Sequence, residues 1–423
     1  MPGPKGHAVQ VAMATAPLAR LSFVTVMAGV LWAAGFVART RNHPLEPLLY
    51  YGMWAALALA LATVGLELVR SGRVHAWLLY VLTGFISLIA FQFFAGMVHV
   101  DIGAVERGVQ LMFAAGALAL GWLSGAGSAG QRERDFLFLY ITLLVGSTAF
   151  FAFVLVAGSE NWFNPNVVGY LPMYLLALGY VAVKSRTGQW VVTLSGVLPF
   201  AIALAYQARA GIIAGLGLVM VVHLARVIRR SAFSFGAPLA ATAAGIVVML
   251  AVATHTSLVG LRMALEAWSW STLGRRFFTG RDELWATGMD AIAQRPVLGW
   301  GPSAEVGDFM ATGLSMHNYY LQIMLEGGVI GLILIAILLG SIAVYFYSRR
   351  RAHAAMVGYG LLIAVLIQET FGVSLTQTAF ASGVPAWLLL GLCMGMADRE
   401  VAGKGEEEEL RNSNAPCRLE GGS

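Results

Sequence analysis

The feature that most constrains this chain is a succession of apolar runs, each roughly as long as a membrane-crossing helix and nearly free of charge, separated by short polar breaks. A hydrocarbon layer about 30 Å thick is crossed by a helix of about 20 residues, whose backbone groups bond internally. Composition agrees: 58% of the 423 residues are apolar and 12% charged, where soluble domains carry about a quarter. Mean hydropathy is +0.73. The chain reads as an all-α, polytopic integral membrane protein, and its 49 glycines suit helices that must approach closely in lipid. Cys393, in an apolar run, and Cys417, near the end, give no disulfide framework. The net charge of +5 does not point to nucleic acid, because the arginines lie in short connections between apolar runs.

Twelve spans are expected, at about 17–38, 47–69, 76–98, 104–124, 136–158, 166–183, 190–207, 210–228, 236–256, 329–348, 354–372 and 378–397. Lys and Arg in short loops stay on the cytoplasmic side. The even-numbered connections hold Arg70 and Arg73, Arg132 and Arg134, Lys184 and Arg186, Arg226, Arg229 and Arg230, and Arg349 to Arg351. The odd-numbered short ones hold Arg39, Arg41, Arg107 and Arg209, so both termini are expected in the cytoplasm. The first twenty residues lack the basic, apolar and small-residue order of a cleaved signal. Four parts follow: spans one to nine over 1–256, an outward loop over 257–328, spans ten to twelve over 329–397, and a disordered cytoplasmic tail over 398–423 that contains Glu406 to Glu409. No internal repeat suggests a transporter built from paired halves.

Function is sought in the one long connection. Trp268 and Trp270 suit a headgroup region. Thr279 is placed to cap a helix with Asp282 and Glu283 in its first turn and an apolar stripe of Leu284, Trp285, Met289 and Ile292, a pattern for an amphipathic helix lying on the membrane. Pro296 and the Gly299-Trp300-Gly301-Pro302 turn end it, and the stretch from Met316 to Gly328 feeds the tenth span, with His317 just before a helix start. There is no HExxH, no Cys/His cluster, no DxD pair and no Gly-rich phosphate loop, so metal and cofactor are not expected and direct use of ATP is disfavoured. Arg209 interrupts two apolar runs at an outer helix junction. Either it snorkels to headgroup phosphates, or it converges with Arg281 on a bound anion, which a guanidinium fork matches in a bidentate way.

Gln207-Ala208-Arg209, Thr279-Gly280-Arg281 with Trp285, Arg295-Pro296-x-x-Gly299-x-Gly301, His317-Asn318-x-x-Leu321 and Glu326-Gly327-Gly328-x-x-Gly331 occur in that order. This arrangement resembles the O-antigen ligase and O-antigen polymerase superfamily, most closely the ligases. The resemblance implies a periplasm-facing glycosyltransferase of the bacterial inner membrane. Its donor would be an undecaprenyl-diphosphate-linked glycan, and its acceptor a lipid A-core sugar. The residues suit that chemistry: His317 as general base for the acceptor hydroxyl, and Arg209 and Arg281 as diphosphate ligands in place of a metal, with inversion at the sugar. Asp282, Tyr319, Tyr320 and Gln322 are supporting candidates, and Glu369 a partner for an arginine or for the base. Polymerases often show Arg-x10-Gly in outer loops, whereas Met220 and Ile292 stand at that distance from Arg209 and Arg281. A polymerase, a protein O-oligosaccharyltransferase and a non-enzymatic lipid flippase are the alternatives.

Overall fold

The computed structural model describes residues 58, 62, 76–126, 129–156, 165–206, 208–274, 276–278, 280–310, 316–376 and 380–413. Those residues contain helices and connections and no strand. In chain order the helices are α1 (Ala76–His99), α2 (Gly103–Ala126), α3 (Ala129–Val156), α4 (Pro165–Ala182), α5 (Arg186–Ser195), α6 (Val197–Ala205), α7 (Arg209–His223), the short α8 (Ala225–Ile228), α9 (Ala232–Thr254), α10 (Val259–Leu273), α11 (Arg281–Gln294), α12 (Tyr319–Ser348), α13 (His353–Glu369) and α14 (Phe380–Ser413).

The chain is thus an α-helical membrane protein, but the twelve-span count is not supported. Six described helices are long and apolar enough to cross a membrane, by length and composition. Three more apolar helices, Val168–Ala182, Arg209–His223 and His353–Glu369, are shorter. Physical breaks account for part of the difference. The run expected at 190–207 is kept as one of the six, Arg186–Ala205, although Gly196 closes α5 and opens α6 within it. Arg209 opens α7, and Glu369 is the last residue of α13. Apart from Ala58 and Ala62, the spans expected at 17–38 and 47–69 lie outside the described residues, as do Gln207 and Thr279. The last helix continues to Ser413, well past the boundary at 397 where a disordered tail was expected; residues 414–423 lie outside the description.

Packing follows the apolar faces. The α14 helix lies along α2, and α13 along α7, which in turn meets α4. The α4–α7 crossing is so close that a Cβ on Gly211 would fall 1.8 Å from the Gly169 carbonyl oxygen. Only glycine fits there, and the approach fixes the first turn of α7, where Arg209 stands.

The segment between α9 and α12 builds a second apolar cluster: Phe278, Leu284, Trp285, Ile292, Val306 and Met316 pack with Val252 and Ala253 from the end of α9 and Leu321 and Leu325 from the start of α12. The expected stripe on α11 is therefore buried against helices, except Met289, which is 39% exposed. Gly280, in left-handed conformation with φ 82°, takes the N-cap position of α11. Trp268 and Trp270, on α10, are exposed.

Candidate functional site

His317 precedes the N-cap of α12 and has φ 48°, in the left-handed region that few non-glycine residues occupy. Such backbone costs of order 1–3 kcal/mol and persists only where the surroundings impose it. The surroundings here are identifiable. The Met316 carbonyl accepts a hydrogen bond from the buried Trp285 Nε1 at 2.9 Å, and the Met316 amide donates to Gln322 Oε1 at 3.4 Å. On the other side, the Asn318 side chain caps α12 by accepting from the Leu321 amide at 3.0 Å and donates to the Thr370 carbonyl at 3.0 Å. His317 is thus held by two fully buried neighbours, one tied to α11 and one to the end of α13.

Arg281 is the first residue of α11 and lies over the Phe371 ring, 5.6 Å from its centroid. Arg209, the first residue of α7, donates from Nη1 to the buried Ser269 Oγ on α10 at 3.2 Å. Electrostatics connect the three groups. Burial, and then the nearby charge of Arg209, hold the Arg281 pKa below its ordinary value. Burial, and then the charge of Arg281, push His317 down to about 4. Arg281 is therefore coupled electrostatically to both Arg209 and His317, and the imidazole is neutral at pH 7. Two like charges brought together at this end favour an anion between them.

The glycines singled out in the sequence serve a backbone crossing beneath this group. The Trp300 and Gly301 amides donate to the Leu325 and Glu326 carbonyls at 2.8 and 3.1 Å, and the Val329 amide to the Pro296 carbonyl at 2.8 Å. Gly299 has φ 67°, and Gly328, with φ 61° and ψ −158°, breaks the regular helix inside α12. A Cβ on Gly328 would lie 2.3 Å from the Val297 carbonyl group, and one on Gly299 2.5 Å from that of Glu326. Arg295 stacks on Trp300 with its Cζ 4.0 Å from the ring centroid. Beside the crossing, Arg107 is buried on α2 and donates to Glu326 Oε1 at 3.2 Å, Gln110 Oε1 at 2.9 Å and the Pro302 carbonyl at 3.1 Å. Arg107, counted from sequence among loop charges that report topology, is instead an interior ion-pair partner.

The supporting candidates have definite partners. Asp282 faces Arg262 of α10 at 3.9 Å. The Tyr319 hydroxyl shares a hydrogen bond with Thr376 Oγ1 at 2.8 Å, and that of Tyr320 donates to the Leu366 carbonyl at 2.7 Å. Gln322 Nε2 donates to the Ala304 carbonyl at 2.7 Å and to Glu326 at 2.9 Å. Glu369 accepts from the Ser374 amide at 2.9 Å, from the Ser374 hydroxyl and from the Tyr170 hydroxyl at 3.2 Å. These bonds give Tyr319, Tyr320 and Glu369 the geometry of a scaffold between α12, α13 and the turn after α13. Sequence reasoning missed Ser269 and Phe371, which carry no local signal. It also missed the tie from Trp285 to Met316; Asn318 was recoverable as an N-cap residue before an apolar run. Among the described residues no group of three or more His, Cys, Asp or Glu side chains could hold a metal ion.

The class defined by these features is a helical membrane protein with a cationic pair and a neutral imidazole gathered where three helices begin and another ends. Residues 194–336 match the family model described as O-antigen ligase, a stretch that includes Arg209, Arg281 and His317. Over that stretch, about a third of the chain, the sequence is similar to the O-antigen ligase family. No curated protein matches the chain.

Proposed function

We propose that the chain is a lipid-diphosphate-dependent glycosyltransferase of the ligase kind, moving an O-antigen glycan from undecaprenyl diphosphate to a sugar hydroxyl of lipid A-core at the periplasmic face of the bacterial inner membrane. The observation that carries the reading is the electrostatic coupling of Arg281 to both Arg209 and His317, residues far apart in the chain, each held at a helix start. In this scheme a neutral His317 takes the proton of the acceptor hydroxyl as its oxygen attacks the anomeric carbon. The bond from that carbon to the diphosphate oxygen breaks, the electron pair leaves with undecaprenyl diphosphate, and Arg209 and Arg281 stabilise the negative charge that develops. In-line attack inverts the anomeric centre. The arginines take the place of a divalent ion, so the reaction is expected to proceed in a chelator.

The deciding experiment incubates the purified chain with a lipid-diphosphate glycan and, separately, with lipid A-core, a second lipid-linked glycan, or a Ser/Thr peptide, each with EDTA present. Product only with lipid A-core supports ligation. Product only with another acceptor replaces the ligase reading with a polymerase or protein-glycosylating one. No product with any acceptor, while the same protein moves the donor across a vesicle bilayer, refutes the transferase reading.

A further inference from the structure

A cavity of about 800 Å³ opens at the end of the bundle opposite His317. It sits where α4 passes to α5, α7 ends, α8 begins and α12 passes to α13, against α14. Since α7 has 15 residues, this end lies about 22 Å along the helix from Arg209. Six cations line it: Lys184, Arg186, Arg226, Arg229, Arg351 and Arg399. Glu400 is the single acid among the described lining residues, and it is already engaged by Lys184 at 3.6 Å and by the His353 amide at 2.6 Å.

Retention of a loop on one side of a membrane accounts for basic residues in loops, and those charges can point anywhere into solvent. It does not account for cations from separate stretches of the chain converging on one concavity. The walls are also built. Trp190 packs on the His223 ring with centroids 4.2 Å apart, His223 Nε2 and Thr193 Oγ1 are 2.8 Å apart, and the His353 ring is tied at Nε2 to the Tyr180 carbonyl at 2.8 Å. Part of the lining is apolar, with Val222, Met356 and Met396 buried. Guanidinium groups and buried apolar side chains lining one cavity at the helix ends match a ligand with phosphate oxygens at one end and greasy surface at the other.

We infer that this cavity is a second anion site, distinct from the Arg209–Arg281 pair, that takes a phosphate-bearing group. The same chemistry is offered by the headgroup of an anionic phospholipid and by a free phosphate or diphosphate. Each cation near a membrane surface contributes about 1 kcal/mol toward an anionic lipid, equivalent to about fivefold in affinity, so loss of two should weaken binding by about thirtyfold.

The test uses the full chain in phosphatidylcholine nanodiscs, titrated with phosphatidylglycerol in one arm and inorganic pyrophosphate in the other, with bound species counted by native mass spectrometry. R226Q/R229Q and, from a different element, R186Q remove cavity charges; R230Q removes an exposed charge of the same connection that does not line the cavity. One tightly held phosphatidylglycerol, weakened about thirtyfold in R226Q/R229Q and about fivefold in R186Q but kept in R230Q, supports the site with lipid as its source. The same pattern for pyrophosphate alone supports it with a soluble source. If wild type, both cavity variants and R230Q bind either probe equally, the cations act as a diffuse surface and the inference is overturned. Circular dichroism of each variant separates lost binding from lost fold.

Discussion

Glu326→Gln isolates the ion pair beneath the candidate site. The Arg107 and Glu326 side chains are 9% and 1% exposed, and the Glu326 carboxylate accepts from Arg107 Nη2 at 3.2 Å and Gln322 Nε2 at 2.9 Å. Removing one member of a buried pair typically costs about 3–5 kcal/mol, because the other charge stays in a medium that cannot solvate it. Here the guanidinium keeps two neutral acceptors, Gln110 Oε1 and the Pro302 carbonyl, which places the expected loss near the lower end, about 3 kcal/mol. Equilibrium unfolding in mixed SDS micelles, followed by tryptophan fluorescence, measures it. Arg107→Gln should cost a similar amount. The double variant should fall short of the sum of the two by about 2 kcal/mol or more, since the second change no longer strands a charge. A coupling energy under about 0.5 kcal/mol would show that the pair does not act as a unit. A second readout follows from Gln322, which touches both Glu326 and the Met316 amide next to His317: under conditions where the variant is folded, kcat should drop more than KM rises.

His317→Ala should lower transfer by about 10²–10⁴-fold at equal protein level, the usual contribution of a general base, with donor binding retained. Because burial and Arg281 push the His317 pKa down to about 4, the imidazole in the free enzyme is neutral above that value, so kcat/KM should keep its acid limb well below pH 6.5. A diphosphate bound beside Arg281 opposes that downward shift and should move the limb of kcat to higher pH; a kcat/KM limb near 6.5 would contradict the surroundings described. Arg281→Lys and Arg209→Lys should each lose about 10²–10³-fold, because an ammonium keeps the charge without the planar fork; full activity with both lysines would reduce their role to point charges. Trp285→Phe keeps the apolar packing but strands the Met316 carbonyl, costing about 1–3 kcal/mol in unfolding measurements, with kcat reduced; an unchanged kcat would release His317 from dependence on that bond.

Particular residues show what sequence carries and what it withholds. Arg209, Arg281 and His317 were legible because charged or titratable groups at the edges of apolar runs need a reason to be there, and the structure does bring them into one electrostatic neighbourhood. Leu284, Trp285 and Ile292 were legible as an apolar face because their spacing repeats with the helix, but that the face packs on α9 and α12 was not. The break at Gly196 was not legible, since an apolar run looks the same whether one helix or two traverse it, whereas the break inside α12 at Gly328 falls at the boundary expected between the outward stretch and the tenth span. Nor was the pairing of Arg107 with Glu326: the two are brought together by helix packing, and local sequence holds no trace of which distant partner a buried arginine will find. The left-handed backbone of His317 has the same origin, being imposed from α11 and α13 and not by its neighbours in sequence.

The crossing of the 295–301 turn over Glu326 to Val329 also bears on how such a domain is inherited and recombined. Each strand of backbone fills the space that a side chain on the other would need, and their amide groups bond across the junction. The two short motifs are therefore one mechanical part written at two places in the chain. A chimera that imports one from a relative and leaves the other should misassemble around α12. Exchanging both as a single cassette should preserve the register on which His317 depends.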